Sequence, residues 1–78
     1  MALLITVDGD KTELKDAELS TLQEAVDGFI EVISFPGFDI IVDEEGLLKS
    51  KSINQAGSLL AGQVVVGDVV VCQTGELK

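Results

Sequence analysis

Apolar residues fall in short runs along this chain, separated by acidic or glycine-bearing breaks. The first run, Leu3 to Val7, stops at Asp8-Gly9-Asp10. Asp-Gly between extended segments favours a tight turn, because glycine takes positive φ without steric cost. Lys11 to Lys15 follows, with Leu14 as its apolar anchor. It reads either as a short return strand or as the lead into a helix.

From Asp16 to Asp27 the period changes. Leu19, Leu22, Val26 and Phe29 recur at intervals of three and four, the spacing that lines one helix face. Ser20 and Gln23 have capping-box spacing, while Asp16 and Glu18 suit the positive end of a helix dipole. The start is therefore open by several residues. Gly28 stands where a left-handed C-cap belongs.

Phe29 to Phe35 alternates with both faces mostly apolar, as in a central strand. Pro36-Gly37 is a turn, and Phe38 to Val42 is a second strand, giving an antiparallel hairpin. Asp43-Glu44-Glu45-Gly46 forms the next turn, followed by a polar, lysine-bearing stretch from Leu47 to Ser52. Ile53 to Ala61 is weakly helical: Asn54 can cap it, and Ile53, Ala56, Leu59 and Leu60 share a face. Gly57 within it costs about 1 kcal/mol of propensity relative to Ala, and Gly62 closes it. Val64 to Cys72 is rich in β-branched residues and is broken at Gly67-Asp68, by a bulge or a tight hairpin. An unpaired edge on that long apolar strand would invite a second copy, so a homodimer is among the expected arrangements. Thr74 to Lys78 is a polar tail. The order predicts an α+β fold: a mostly antiparallel sheet of four to five strands, one amphipathic helix packed on it, and a second short helix.

Composition narrows what such a fold can do. The 78 residues make one domain, spanning 1–78, with 46% hydrophobic and 24% charged residues, a globular balance. There is no His, Trp, Tyr or Arg and a single Cys. That excludes histidine acid–base catalysis, Cys/His zinc sites, an internal disulfide and an arginine clamp for phosphate. Cys72 lies among valines and reads as a small buried filler, since reactive thiols need an electropositive setting.

Charge narrows it again. Fourteen acids against five lysines give a net charge of −9. Phosphate neutralisation requires Lys or Arg, so direct nucleic-acid binding and docking on an anionic membrane are not expected. The acidity serves solubility or attracts basic protein surfaces. No basic leader and no span of about 18 apolar residues appears, so a cytoplasmic setting is expected.

Candidate chemistry is sparse. Asp8-Gly9-Asp10-Lys11-Thr12 superficially resembles a calcium loop, but Glu13 and Leu19 stand where an EF-hand needs Gly and Glu. Asp43-Glu44-Glu45 reads as a solvated acidic turn. Asn54 reads as a structural cap with substrate contact as the sharper alternative. Asp16, Glu24, Asp27 and Glu31 gather on and after the main helix and form the candidate binding surface, with Glu24 and Asp27 sharing a face. No catalytic set, metal site or cofactor is assigned, and an enzyme is not expected.

The segments Leu22 to Val32, Ile41 to Gly46, Asn54-Gln55-Ala56 and Val66 to Val71, in that order and spacing, carry a resemblance. Together, over roughly residues 19 to 72, the chain resembles the domain-of-unknown-function family 3846. Its members are small proteins or domains of phages, plasmids and bacteria. The family pattern has two glycines before the aromatic residue, and here Asp27 takes the first place. The family's basic residues after the Asn are replaced by Gln55. The resemblance implies a mobile-element origin and carries over no catalytic or binding residue. Two functions are expected. The first is a non-enzymatic accessory protein that binds and modulates a host protein in the host cytoplasm. The second is an acidic nucleic-acid mimic that inhibits a DNA- or RNA-binding defence enzyme.

Overall fold

The computed structural model describes residues 1–75, leaving the last three of the predicted tail outside the described residues. Seven elements follow in chain order: β1 (Leu3–Ile5), β2 (Lys11–Glu13), α1 (Leu19–Val26), β3 (Ile30–Phe35), β4 (Phe38–Asp43), α2 (Gln55–Ala61) and β5 (Val69–Gln73). The strands form one five-stranded sheet in the order β2-β1-β5-β4-β3, and every neighbouring pair is antiparallel. The α+β expectation holds. Of the two readings of Lys11 to Lys15, the return strand is correct: Leu3 pairs with Glu13 and Ile5 with Lys11.

Alternation along the strands divides the core into two layers. On one face Ile41, Val70 and Cys72 meet Leu22 and Val26 of α1, together with Ala2 and Ala17. On the other, Ile5, Ile40, Val42 and Val69 meet Val65 and Ala61, the last of these on α2. The sheet therefore has a helix on each side. Each fully buried aliphatic side chain contributes about 1.5–3 kcal/mol, a large favourable term for a domain this small.

α1 is shorter than the expected Asp16-to-Asp27 span. It starts at Leu19, and its N-cap Glu18 makes no side-chain capping bond. Asp16 works earlier: its Oδ1 accepts from the Glu18 N–H at 3.0 Å and turns the chain before the helix. Leu22 and Val26 are buried as the spacing predicts, but Leu19 and Phe29 are largely exposed. The left-handed C-cap is Asp27, at φ 59° and ψ 52°, and not Gly28. Gly28 is needed for space instead: a Cβ there would lie 2.6 Å from Asp43 Oδ1.

Two further expectations are corrected by topology. The strand beginning at Ile30 is an edge, because only β4 pairs with it among the described residues. The long run Val64 to Cys72 is not an edge. Its strand β5 lies at the centre, paired with β1 and β4, so no unpaired edge exists there. The Gly67-Asp68 break is a bend: the Gly67 N–H donates to Ser52 O at 2.8 Å, and Asp68 Oδ1 accepts from the Val7 N–H at 3.0 Å. The Pro36-Gly37 hairpin is as expected, with Phe35 opposite Phe38 and their rings stacked at 5.0 Å.

α2 is capped by Asn54, as expected, but is turned differently. Asn54 Oδ1 accepts from the Gly57 N–H at 2.8 Å. Its Nδ2 donates to Ile5 O and to Gly67 O, each at 2.9 Å. The residue is fully buried, and its carboxamide ties β1, α2 and the approach to β5 together. Gly57 then faces the sheet, where an added Cβ would stand 3.0 Å from Val69 Cγ2 and 3.1 Å from Val65 Cγ2. Gly57 and Ala61 are the buried side of α2, while Ile53, Leu59 and Leu60 of the expected apolar face are exposed.

This arrangement separates capping from bridging. Asn54→Ala is expected to lose about 3 kcal/mol, because buried partners are left unsatisfied. Asn54→Asp keeps a good cap but sets a carboxylate against the carbonyls of Ile5 and Gly67. It should lose at least as much near neutral pH. Denaturant unfolding of the two variants checks this, and an Asp variant of native stability would reduce Asn54 to a simple cap.

Candidate functional site

Two regions stand out, one electrostatic and one apolar. The first lies at the C-terminal end of α1. Asp43 ends β4 with its side chain fully buried. It takes Lys51 Nζ at 2.7 Å and Lys49 Nζ at 3.0 Å on Oδ2, while Oδ1 accepts from the Glu45 N–H at 2.9 Å. The same lysines reach the helix end: Lys51 donates to Val26 O at 2.7 Å, and Lys49 to Asp27 O at 2.9 Å. α1 has no basic residue in its last turn. The loop supplies the cations that its terminal carbonyls favour.

Burial alone would raise the Asp43 pKa, but the hydrogen bonds from Lys51, the Glu45 N–H and Lys49 outweigh it and lower the value to about 2. Lys49 is shifted upward, chiefly by its bond to Asp43. Asp43 and Lys49 are thus held charged at neutral pH. The expected solvated turn at Asp43 to Gly46 is half right: Glu44 and Glu45 are exposed, but Asp43 is a buried anchor. Its sequence signal is an acid closing an apolar strand shortly before Lys49 and Lys51, in a chain with only five lysines.

The candidate acidic surface does not come together as one patch. Asp16 is half-buried and serves its turn at the start of α1. Glu24 is exposed and borders an open groove of about 390 Å³ with Gln23, Phe29, Glu45 and Lys49. The Asp27 side chain is 93% exposed, and Lys51 stands 3.9 Å from its carboxylate. Glu31 lies across the sheet from these. It pairs with Val42, whose side chain belongs to the α2-side core. Asn54 has every polar atom committed inside the fold and presents nothing to a ligand.

The second region was missed by the sequence reading. On the α2 side, Leu47 is 80% exposed, Leu59 86% and Val64 67%. Leu48, Ile53 and Leu60 are exposed as well. A groove of about 180 Å³ runs past Leu47, Ile33, Val42 and Val64, with Glu31 and Glu44 at its margin. A shallower depression of about 330 Å³ continues past Val64 to Ile53, Ser58 and Leu59. Val64 lines both, so the two make one apolar strip with a carboxylate border. The available signals were the Leu47-Leu48 pair within a polar stretch, and the small residues Gly57 and Ala61 on one side of α2.

The molecule thus combines a charged clamp with an apolar strip. The family model described as Domain of unknown function (DUF3846) matches residues 1–77. The chain belongs to this family. No curated protein and no solved structure gives a match. Among the described residues no three Cys, Asp or Glu side chains converge as a metal-binding group, and no helix is long and apolar enough to cross a membrane.

The clamp makes a pH-dependent contribution whose sign is set by Asp43. Its folded pKa of about 2 lies below the unfolded value of about 3.9. The stabilisation is therefore complete above the unfolded value and disappears as pH falls towards 2. Because Lys49 remains in contact with water, it is discounted to about 1 kcal/mol. Urea unfolding of the native chain and of Asp43→Asn should show that gap near neutral pH and its closure near pH 2. A gap that widens on acidification would contradict the clamp.

Proposed function

We propose that this family member is a non-enzymatic accessory protein of a phage or other mobile element, acting in the host cytoplasm by binding and modulating a host protein. The observation that carries the reading is the outward apolar strip of Leu47, Ile53, Leu59 and Val64. A chain this small gains most from burying aliphatic side chains, yet here it leaves several of its largest in water. Contiguous exposed apolar surface with a polar border is the anatomy of a protein-binding patch. The border carries Glu31 and Glu44, and among the described residues no lysine lines the groove between Leu47 and Val64. The partner surface that fits is apolar at its centre with Lys or Arg around it.

Mimicry of nucleic acid has weaker support. A mimic needs carboxylates arrayed along one surface, and Glu31 lies on the opposite side of the sheet from Glu24 and Asp27. Asp16 is half-buried and engaged in the turn before α1.

The two readings respond oppositely to salt and to substitution. Tagged protein incubated with bacterial lysate should retain a partner through about 0.5 M salt, where exposed charge pairs are screened. Val64→Asp combined with Leu59→Asp should abolish retention while leaving the circular dichroism spectrum and unfolding midpoint unchanged, since both side chains are exposed. The triple variant Asp16→Asn, Glu24→Gln, Asp27→Asn should retain the partner. A basic partner released by moderate salt, and lost only in the triple variant, would replace this proposal with mimicry.

A further inference from the structure

The two edges of the sheet are built differently. β2 has three residues, Lys11, Thr12 and Glu13, all exposed and two of them charged. Short, charged edges resist pairing with another chain. β3 has six residues, Ile30 to Phe35, with Glu31 as its only charge. No proline, lysine or bulge interrupts it, although the chain elsewhere spends acids freely.

Hairpin geometry identifies which backbone groups face outward. Pro36 and Gly37 form a two-residue loop, which makes Phe35 and Phe38 the first hydrogen-bonded pair. Bonded pairs alternate along an antiparallel ladder. Glu31, Ile33 and Phe35 therefore bond to β4. The Glu44 N–H, which donates to Phe29 O at 2.8 Å, continues that register. Ile30, Val32 and Ser34 consequently direct their N–H and C=O groups to the open edge. Val32 is also exposed on the α1 side of the sheet.

We infer that β3 is a homodimer interface, pairing with β3 of a second copy about a two-fold axis at Val32, perpendicular to the sheet. The register follows from the strand itself. With Val32 opposite its own counterpart, Ile30 faces Ser34 of the second copy, and the reverse. All three outward residues then exchange backbone bonds. A register centred on Ile33 would leave Ile30 opposite Pro36, which has no N–H to give. The chosen register also sets Glu31 against Ile33 of the second copy, so like charges never meet directly across the strands. A two-fold axis perpendicular to the sheet keeps each face on its own side. The ten-stranded dimer thus presents both Leu47–Val64 strips on one surface. This differs from the β5 edge suggested by sequence, and it stands whether or not the proposed host partner exists.

The test is the mass of the purified full chain in solution. Sedimentation between roughly 10 and 500 µM should show the 8.2 kDa chain doubling in mass. The midpoint should fall to lower concentration as salt screens the net charge of −9 on each copy. Val32→Pro removes an outward donor and is tolerated on an edge, so it should hold the chain monomeric with an unchanged circular dichroism spectrum. Should that variant not fold, Val32→Cys provides a second readout. Under oxidation it should link two copies, because bonded antiparallel pairs stand about 5.5 Å apart at Cα, within disulfide reach. Ser34→Cys should not, since its counterpart lies several residues away. A chain monomeric throughout the range would overturn the inference. So would dimers that survive Val32→Pro, or that vanish only with Val64→Asp and Leu59→Asp, which would place the second copy on the apolar strip.

Discussion

Asn54 connects segments that are distant in the chain. Its amide reaches Ile5 O, 49 residues away, and Gly67 O, 13 residues away, while its oxygen caps α2. Its own N–H donates to Val65 O at 2.9 Å. A fully buried carboxamide with these partners has one acceptable orientation, because turning it over would set oxygen against two carbonyls. That fixes where α2 begins and which side it turns to the sheet. Only the small side of the helix fits: Gly57 passes Val65 and Val69 at the limit of contact, and Ala61 follows it. The outward position of Leu59 is a consequence of the packing and cannot be relieved by rotating the helix.

The Asp43 clamp performs the corresponding task on the other face. It holds the loop after β4 against the end of α1 and satisfies carbonyls that the helix leaves open. Asp27 takes the left-handed position that glycine ordinarily fills, at a modest conformational cost, and the lysines hold its carbonyl there. Leu47 is carried on this loop. The position of the apolar strip therefore depends on both polar anchors, the amide under α2 and the ion cluster under α1.

Much of the local structure was legible in the sequence. The Pro36-Gly37 hairpin, the Asp8-Gly9-Asp10 turn, the Asn54 cap and the Gly62 terminus each follow from the conformational limits of a few adjacent residues. Leu22 and Val26 declared the buried side of α1 by their spacing. Structure and sequence part where local chemistry can be satisfied in more than one way. Asp27 and Gly28 are both plausible caps, and the choice was made by the close approach of Asp43 to Gly28. The spacing of Ile53, Ala56, Leu59 and Leu60 marks one apolar face, yet helix periodicity reports a stripe and not what the stripe meets: three of the four are exposed.

The sequence by itself determined the elements, the fold class, the net charge and the absence of histidine and arginine chemistry. These are properties of residues and their near neighbours. Only the tertiary structure decided that β5 is central and β3 an edge, because two apolar strands look alike until the sheet order is known. It also separated Glu31 from Glu24 and Asp27, since alternation across a pleated strand sends a side chain to a face that chain proximity does not reveal. The pairing of Asp43 with Lys49 and Lys51 was decided in the same way. A charge becomes an anchor only when the fold removes water from it and supplies the partner.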